Sequence, residues 1–184
     1  MVMTSSTNRE LGITAPPFRL ADADGKIVSR DDFAANKGLL IVFWSNHCPF
    51  VKHIKRAFAE FAREYQAKGL AVVAINANDI AAYPEDRPEA MKADAKAFGF
   101  TFDYVLDSTQ DVARAYDAAC TPDFFLFDRD RTLVYHGQFD ASRPRNSEPI
   151  TGADLRAAAD AVLAGRPVAA KQTPSIGCNI KWRT

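Results

Sequence analysis

The run Gly38 to Trp44 is continuously apolar and rich in β-branched and aromatic side chains, which predicts a strand buried on both faces. Directly after it the period changes. Val51, Ile54, Phe58, Phe61 and Tyr65 recur at steps of three and four, with Lys52, Lys55, Arg56, Glu60 and Arg63 between them, and this predicts a long amphipathic helix ending near Lys68-Gly69. Leu70 to Asn76 predicts a second buried strand. Arg87 to Phe98 predicts a second helix with Met91, Ala95 and Phe98 on one face. Ser108-Thr109-Gln110-Asp111 has the spacing of a capping box and predicts a short helix through Ala119. Asp123 to Phe127 then predicts a third buried strand, with Thr132 to Phe139 as its hairpin partner. Thr151-Gly152-Ala153-Asp154 repeats the cap spacing ahead of Leu155, Ala158, Ala159, Val162 and Leu163, with Gly165 and Pro167 as the stop. Phe18 to Leu20 and Lys26 to Ser29, on either side of Asp24-Gly25, predict an N-terminal β-hairpin.

Strands alternating with helices and closed by a hairpin and a helix define an α/β class: a three-layer α/β/α sandwich on a central mixed sheet. No repeat, low-complexity tract or linker divides the chain. The expected organisation is a flexible N-terminal segment 1–14, one domain over 15–166, and a tail 167–184. That tail lacks periodicity, but Ile176, Ile180 and Trp182 imply that it docks on the body. Apolar residues make up 47% of the chain and include 13 Phe, enough for one sizeable core. Lys and Arg number 23 against 23 Asp and Glu, so net charge gives no case for nucleic acid or an anionic membrane as partner. The Gly38–Trp44 run is too short to span a bilayer, and Met1 to Glu10 lacks the apolar core of a signal peptide, so a cytoplasmic location is expected.

The candidate chemistry is thiol chemistry. Three cysteines, Cys48, Cys120 and Cys178, are odd in number and widely spaced, unlike a secreted disulfide framework. Cys48 falls where the central strand hands over to the long helix, the sheet edge that open α/β folds use for reactions. There the helix dipole and unpaired amides favour thiolate, and His47 and Lys52 stand nearby in sequence. Position alone also fits a buried structural cysteine. His47, Cys48 and His53 are metal-ligand types, but no second paired motif accompanies them, so no metal site is assigned. Asn76 and Asn78 read as turn-forming, His136 as a strand residue, and Glu85, Asp86, Arg87 and Glu89 as a solvated loop and helix start.

The segment Phe43-Trp-Ser-Asn-His-Cys48-Pro-Phe-Val-Lys52 resembles the thioredoxin active-site segment, in which an aromatic pair ends the strand and a Cys-x-x-Cys motif opens the helix. Thr121-Pro122-Asp123-Phe-Phe-Leu-Phe-Asp128 resembles the superfamily's proline loop, whose cis proline packs beside the active cysteines. Both lie in the right order within Ala15 to Gly165. Aligned on Trp44, Ser45 stands in the first cysteine's place and Cys48 in the second's, and Leu39 replaces the buried strand acid. Ser45 three residues before Cys48 is similar to the peroxiredoxin arrangement, although Ile41 replaces that group's proline and no Arg lies in 120–128. The chain is thus identified as a member of the thioredoxin-like superfamily, in its peroxiredoxin-related branch of redoxins and alkyl-hydroperoxide-reductase-like proteins.

The resemblance implies a thiol-dependent oxidoreductase with Cys48 as the redox nucleophile, attacking a peroxide or a disulfide. Cys120, Cys178 or an external thiol would regenerate it. Trp44 would wall the site, Ser45 would hydrogen-bond the reacting atoms, and His47, Pro49, Thr121 and cis Pro122 would complete the substrate site. A thioredoxin-type or low-molecular-weight thiol would act as reductant, with no metal or organic cofactor. The alternatives are a monothiol exchanger without peroxidase activity and a non-enzymatic redox-sensing or copper-handling module.

Overall fold

In the computed structural model, which describes residues 3–184, the chain runs β1 (Met3–Ser5), β2 (Arg19–Asp22), β3 (Ile27–Ser29), β4 (Gly38–Phe43), α1 (Pro49–Ala67), β5 (Leu70–Asn76), α2 (Pro88–Phe98), β6 (Asp103–Leu106), α3 (Asp111–Tyr116), β7 (Cys120–Thr121), β8 (Asp123–Phe127), β9 (Leu133–Gly137), α4 (Ala153–Leu163) and β10 (Ile176–Asn179). Every residue of β4 and β5 is buried, as continuous apolar runs require when helices cover both faces. The two pair in parallel at the middle of a seven-stranded mixed sheet of order β3-β2-β6-β5-β4-β8-β9. β6 is parallel to β5, while β2, β8 and β9 run antiparallel to their neighbours.

Strand alternation splits the core into two layers. Leu40, Val42, Phe124 and Leu126 face α1 and α4, packing with Phe58, Phe61, Leu155 and Val162. Leu39, Ile41, Phe43, Phe125 and Phe127 face the opposite side with Tyr116, Phe18 and Val28. Phe58 is the hinge of the first layer: its ring lies 4.9 to 6.0 Å from those of Trp44, Phe61, Phe102, Phe124 and Phe139. The three-layer α/β/α sandwich is therefore present, with helices on both faces of a mixed sheet.

Several local expectations are corrected. The 108–111 capping box does not form: Gln110 occupies the cap in the left-handed region, Asp107 accepts the Ala113 amide, and α3 ends at Tyr116. At α4 the cap is Gly152, and Asp140 accepts the Thr151 and Gly152 amides from 11 and 12 residues upstream. In both, a carboxylate takes amides at the helix start, while the local threonine, Thr109 or Thr151, accepts the amide two residues on. Residues 3–5, expected within a flexible leader, form β1 because β10 offers them an edge: Met3, Thr4 and Ser5 pair with Cys178, Gly177 and Ile176. β10 itself lies between β1 and β7 in a separate three-stranded sheet, which ties the tail to the body beside the C-terminal end of β4.

Candidate functional site

Cys48 is the cap residue of α1, extended at φ −65° and ψ 124°, and Pro49 follows at the first helical position, where its missing N–H has no partner to lose. The sulfur thus stands at the positive end of a 19-residue helix. The cap also sets the frame of the motif. With Cys48 opening the helix, the position three residues on is Val51, so Cys48 takes the place of a Cys-x-x-Cys motif's first cysteine, not its second. The local dithiol is absent because Val51 fills the second position inside the core. No acid replaces the one missing from the strand, since six residues before Cys48 stands buried Val42.

β7 brings Cys120 and Thr121 to the same edge, and the Thr121–Pro122 peptide is cis. Cys48 Sγ lies 3.1 Å from the Thr121 carbonyl oxygen, to which its protonated form donates. β10 then pairs Cys178 with Thr121 and Asn179 with Cys120. This register carries Cys178 Sγ to 2.7 Å from Cys48 Sγ, in hydrogen-bond contact and longer than the ~2.05 Å of a covalent bond. Gly177 permits the approach, because a β-carbon there would fall 2.0 Å from the Thr121 carbonyl oxygen. The tail strand lies over Cys48, which is 0% exposed, and Cys178 is 1% exposed.

Burial alone would push the Cys48 thiol up. The Cys178 thiol, the Thr121 side chain and the amides of Val51 and Cys178 outweigh it and bring Cys48 down to about 6. Cys178 is pushed up, first by its hydrogen bond to Cys48 and then by burial, so it keeps its own proton and donates it to the Cys48 thiolate. Cys120 is pushed up by burial, with Asp123 and Cys48 adding to it. Its sulfur meets the Pro122 carbonyl at 3.6 Å and, among the described residues, does not join the Cys48–Cys178 contact.

The flanking residues differ from expectation. Trp44 does not wall an open site; it is buried, with its ring 4.9 Å from Phe58. Ser45 accepts the Cys48 amide at 3.3 Å and donates to Asp86, so its hydroxyl is engaged away from the sulfur. His47 donates to Asp86 at 2.8 Å and stacks on Tyr83 at 5.1 Å. His53 meets Ser142 Oγ at 2.6 Å, and no group of three metal-ligating side chains occurs among the described residues. Pro49 is exposed and, with Met3, Phe50, Pro144 and Ile176, lines a groove of about 600 Å³ that also touches Arg143 and Arg145. Thr121 and Pro122 are both buried under β10.

Asp86 corrects a different reading. Far from being solvated, it is buried and accepts Asn46 N–H at 2.6 Å, Ser45 Oγ at 3.0 Å, His47 Nδ1 at 2.8 Å and Asn78 Nδ2 at 2.6 Å. Burial pushes its carboxyl up, but the bonds from His47 and Asn78, the His47 charge and the Asn46 amide outweigh it and hold it below the ordinary carboxylate range. Asp86 therefore fixes the loop that presents Cys48. The available signal was its place after β5, at the same sheet edge as Cys48.

Residues 11–136 match the AhpC/TSA family. The thiol-disulfide oxidoreductase ResA of Geobacillus thermodenitrificans is 30% identical over 127 residues, 69% of this chain and 68% of its own length. A crystal structure of a hypothetical protein from Sinorhizobium meliloti superposes with a TM-score of 0.97 at 55% identity, covering 98% of this chain and 99% of that one. The thioredoxin domain of a Bacteroides vulgatus thiol-disulfide oxidoreductase, 22% identical, superposes with a TM-score of 0.59 over 70% of this chain and 89% of that one, which bears on the fold alone. With the family matched over most of its sheet and a thiol-disulfide oxidoreductase 30% identical over two thirds of both chains, this chain belongs to the AhpC/TSA family and is a thiol-dependent oxidoreductase.

Proposed function

We propose that the protein exchanges disulfides through a Cys48–Cys178 dithiol, in which Cys48 attacks and Cys178 resolves. The 2.7 Å approach of the two sulfurs carries this reading, because the tail returns the second thiol that Val51 leaves out of the local motif. The Cys48 thiolate attacks one sulfur of an incoming disulfide; that bond breaks, one thiolate leaves, and a mixed disulfide remains on Cys48. Cys178 then passes its proton to a leaving thiolate and attacks Cys48 Sγ, releasing the second substrate sulfur as the Cys48–Cys178 bond closes. Two electrons pass to the substrate, and a thioredoxin-type or low-molecular-weight thiol restores them. The Thr121 backbone edge beside Pro122 is held by β10, so β10 lifts from β7 as substrate enters.

The setting we propose is cytoplasmic, where such reductants keep thiols reduced. Exchange is better supported than peroxide reduction, because the Ser45 hydroxyl that would bind a peroxide oxygen is committed to Asp86. The test uses a chromogenic aryl disulfide that releases one coloured thiolate at each step. The reduced protein is expected to release two per chain, Cys178→Ser one, and Cys48→Ser none on the same timescale. Two from Cys178→Ser would overturn the assignment of the resolving thiol, and two from Cys48→Ser would overturn that of the nucleophile.

A further inference from the structure

Beyond β10 the tail is gripped by two buried side-chain amides, and neither belongs to the exchange chemistry. Asn78 Oδ1 accepts the Lys181 amide at 2.8 Å. Gln110 Nε2 donates to the Lys181 carbonyl at 2.9 Å, and its Oε1 accepts the Arg183 amide at 2.9 Å. The Asp79 amide also donates to Lys181 O, and the Ile180 amide to Ala119 O. Gln110 adopts φ +68°, a left-handed conformation that a side chain disfavours, and 1% of it is exposed, so the chain retains a strained residue whose amide is spent on Ala77 and the tail. Asn78 has its other end on Asp86, 2.6 Å away, which also holds the Asn46 amide two residues before Cys48. One carboxylate thereby serves both the loop carrying the nucleophile and the clamp on the tail.

Register is what this clamp controls. Lys181 is three residues past Cys178, and a slip of one residue would move the Cys178 sulfur by roughly 3.3 Å and turn it to the opposite face. Pairing of β10 with β7 spans only two residues, Cys178 with Thr121 and Asn179 with Cys120, too little to specify register alone. We propose that Asn78 and Gln110 are positioning residues for the resolving step: by binding the tail backbone at Lys181 and Arg183 they reseat Cys178 against Cys48 after substrate has displaced it. This rests on the reading of Cys178 as the resolving thiol.

The test follows the second coloured thiolate, whose release from the Cys48 mixed disulfide is a first-order step. Asn78→Ala and Gln110→Ala are expected to slow that release at least tenfold, and Gln110→Ala, whose side chain bonds Ala77 and the tail and not Asp86, to leave the first release as fast as in the unmodified protein, or faster. Alkylation of Cys120 is the internal control and is expected to stay slow, which a general loosening of the core would not allow. Release of the second thiolate at the unmodified rate in both variants, with Cys178→Ser stalled after the first, would overturn the clamp alone. Normal second release in Cys178→Ser would overturn the underlying reading as well. Should the variants fail to fold, hydrogen exchange of the intact reduced protein decides: the Lys181 and Arg183 amides are expected to be as protected as those of Cys178 and Asn179, and unprotected exchange at both would overturn the proposal.

Discussion

Cys178 Sγ lies 2.7 Å from Cys48 Sγ across 130 positions of sequence. A bond between them closes the chain from α1 to β10 into one loop. In the chain-entropy description, a loop of that size stabilises the folded state by about 5 kcal/mol through restriction of the unfolded chain. The oxidised protein is therefore expected to be more stable than the reduced one by about 3–5 kcal/mol in denaturant titrations. Equal midpoints for the two forms would contradict it.

Cys48 titrates near 6, below an ordinary thiol, so alkylation by a small haloacetamide is expected to rise with a midpoint near pH 6. Removing the largest favourable contact with Cys178→Ser is expected to move that midpoint upward. The linkage sign follows from a lowered folded pKa. The reduced protein gains stability from Cys48 as pH rises from about 6 toward the unfolded thiol value near 9, holds it fully above that, and loses it as pH falls through 6. Denaturant midpoints of the reduced protein against those of Cys48→Ser across this range check the sign.

Gly177→Ala places a methyl against the Thr121 carbonyl, and backbone cannot yield as a flexible side chain does. β10 is expected to lift, raising Cys48 alkylation at least tenfold and costing about 1–3 kcal/mol of stability. Unchanged alkylation would show that Gly177 is not what lets the tail close.

Asp86→Ala leaves Ser45, the Asn46 amide, His47 and Asn78 without their shared acceptor inside the protein. The expected loss is about 3–5 kcal/mol, the range for removing one partner from a buried charged network. A loss under 1 kcal/mol by thermal or chemical unfolding would mean that the network is solvated.

The elements that carry strong periodicity were legible in the chain: β4 and β5 as unbroken apolar runs, α1 from Val51 to Tyr65, α4 from Leu155 to Leu163. β6 was not, because four residues, Asp103 to Leu106, are too few to show a period. β10 was not, because Gly177, Cys178 and Asn179 have little strand preference of their own and pair only where β1 and β7 flank them. The position of Cys48 at a strand-to-helix junction was legible from the change of period after Trp44. Asp86, Asn78 and Gln110 were not, because polar residues in loops look solvated until the fold closes over them. For the same reason Ser45 and His47 were expected to face the sulfur, when a carboxylate 41 and 39 residues later in the chain claims both.

The most direct measurement is peptide mapping by mass spectrometry after the reduced protein is treated with one equivalent of a small disulfide and the remaining thiols are blocked by alkylation. The expected product is a peptide pair joined through Cys48 and Cys178, with Cys120 recovered as an alkylated thiol. A Cys48–Cys120 bond, or a substrate adduct persisting on Cys48 with Cys178 recovered alkylated, would contradict the account.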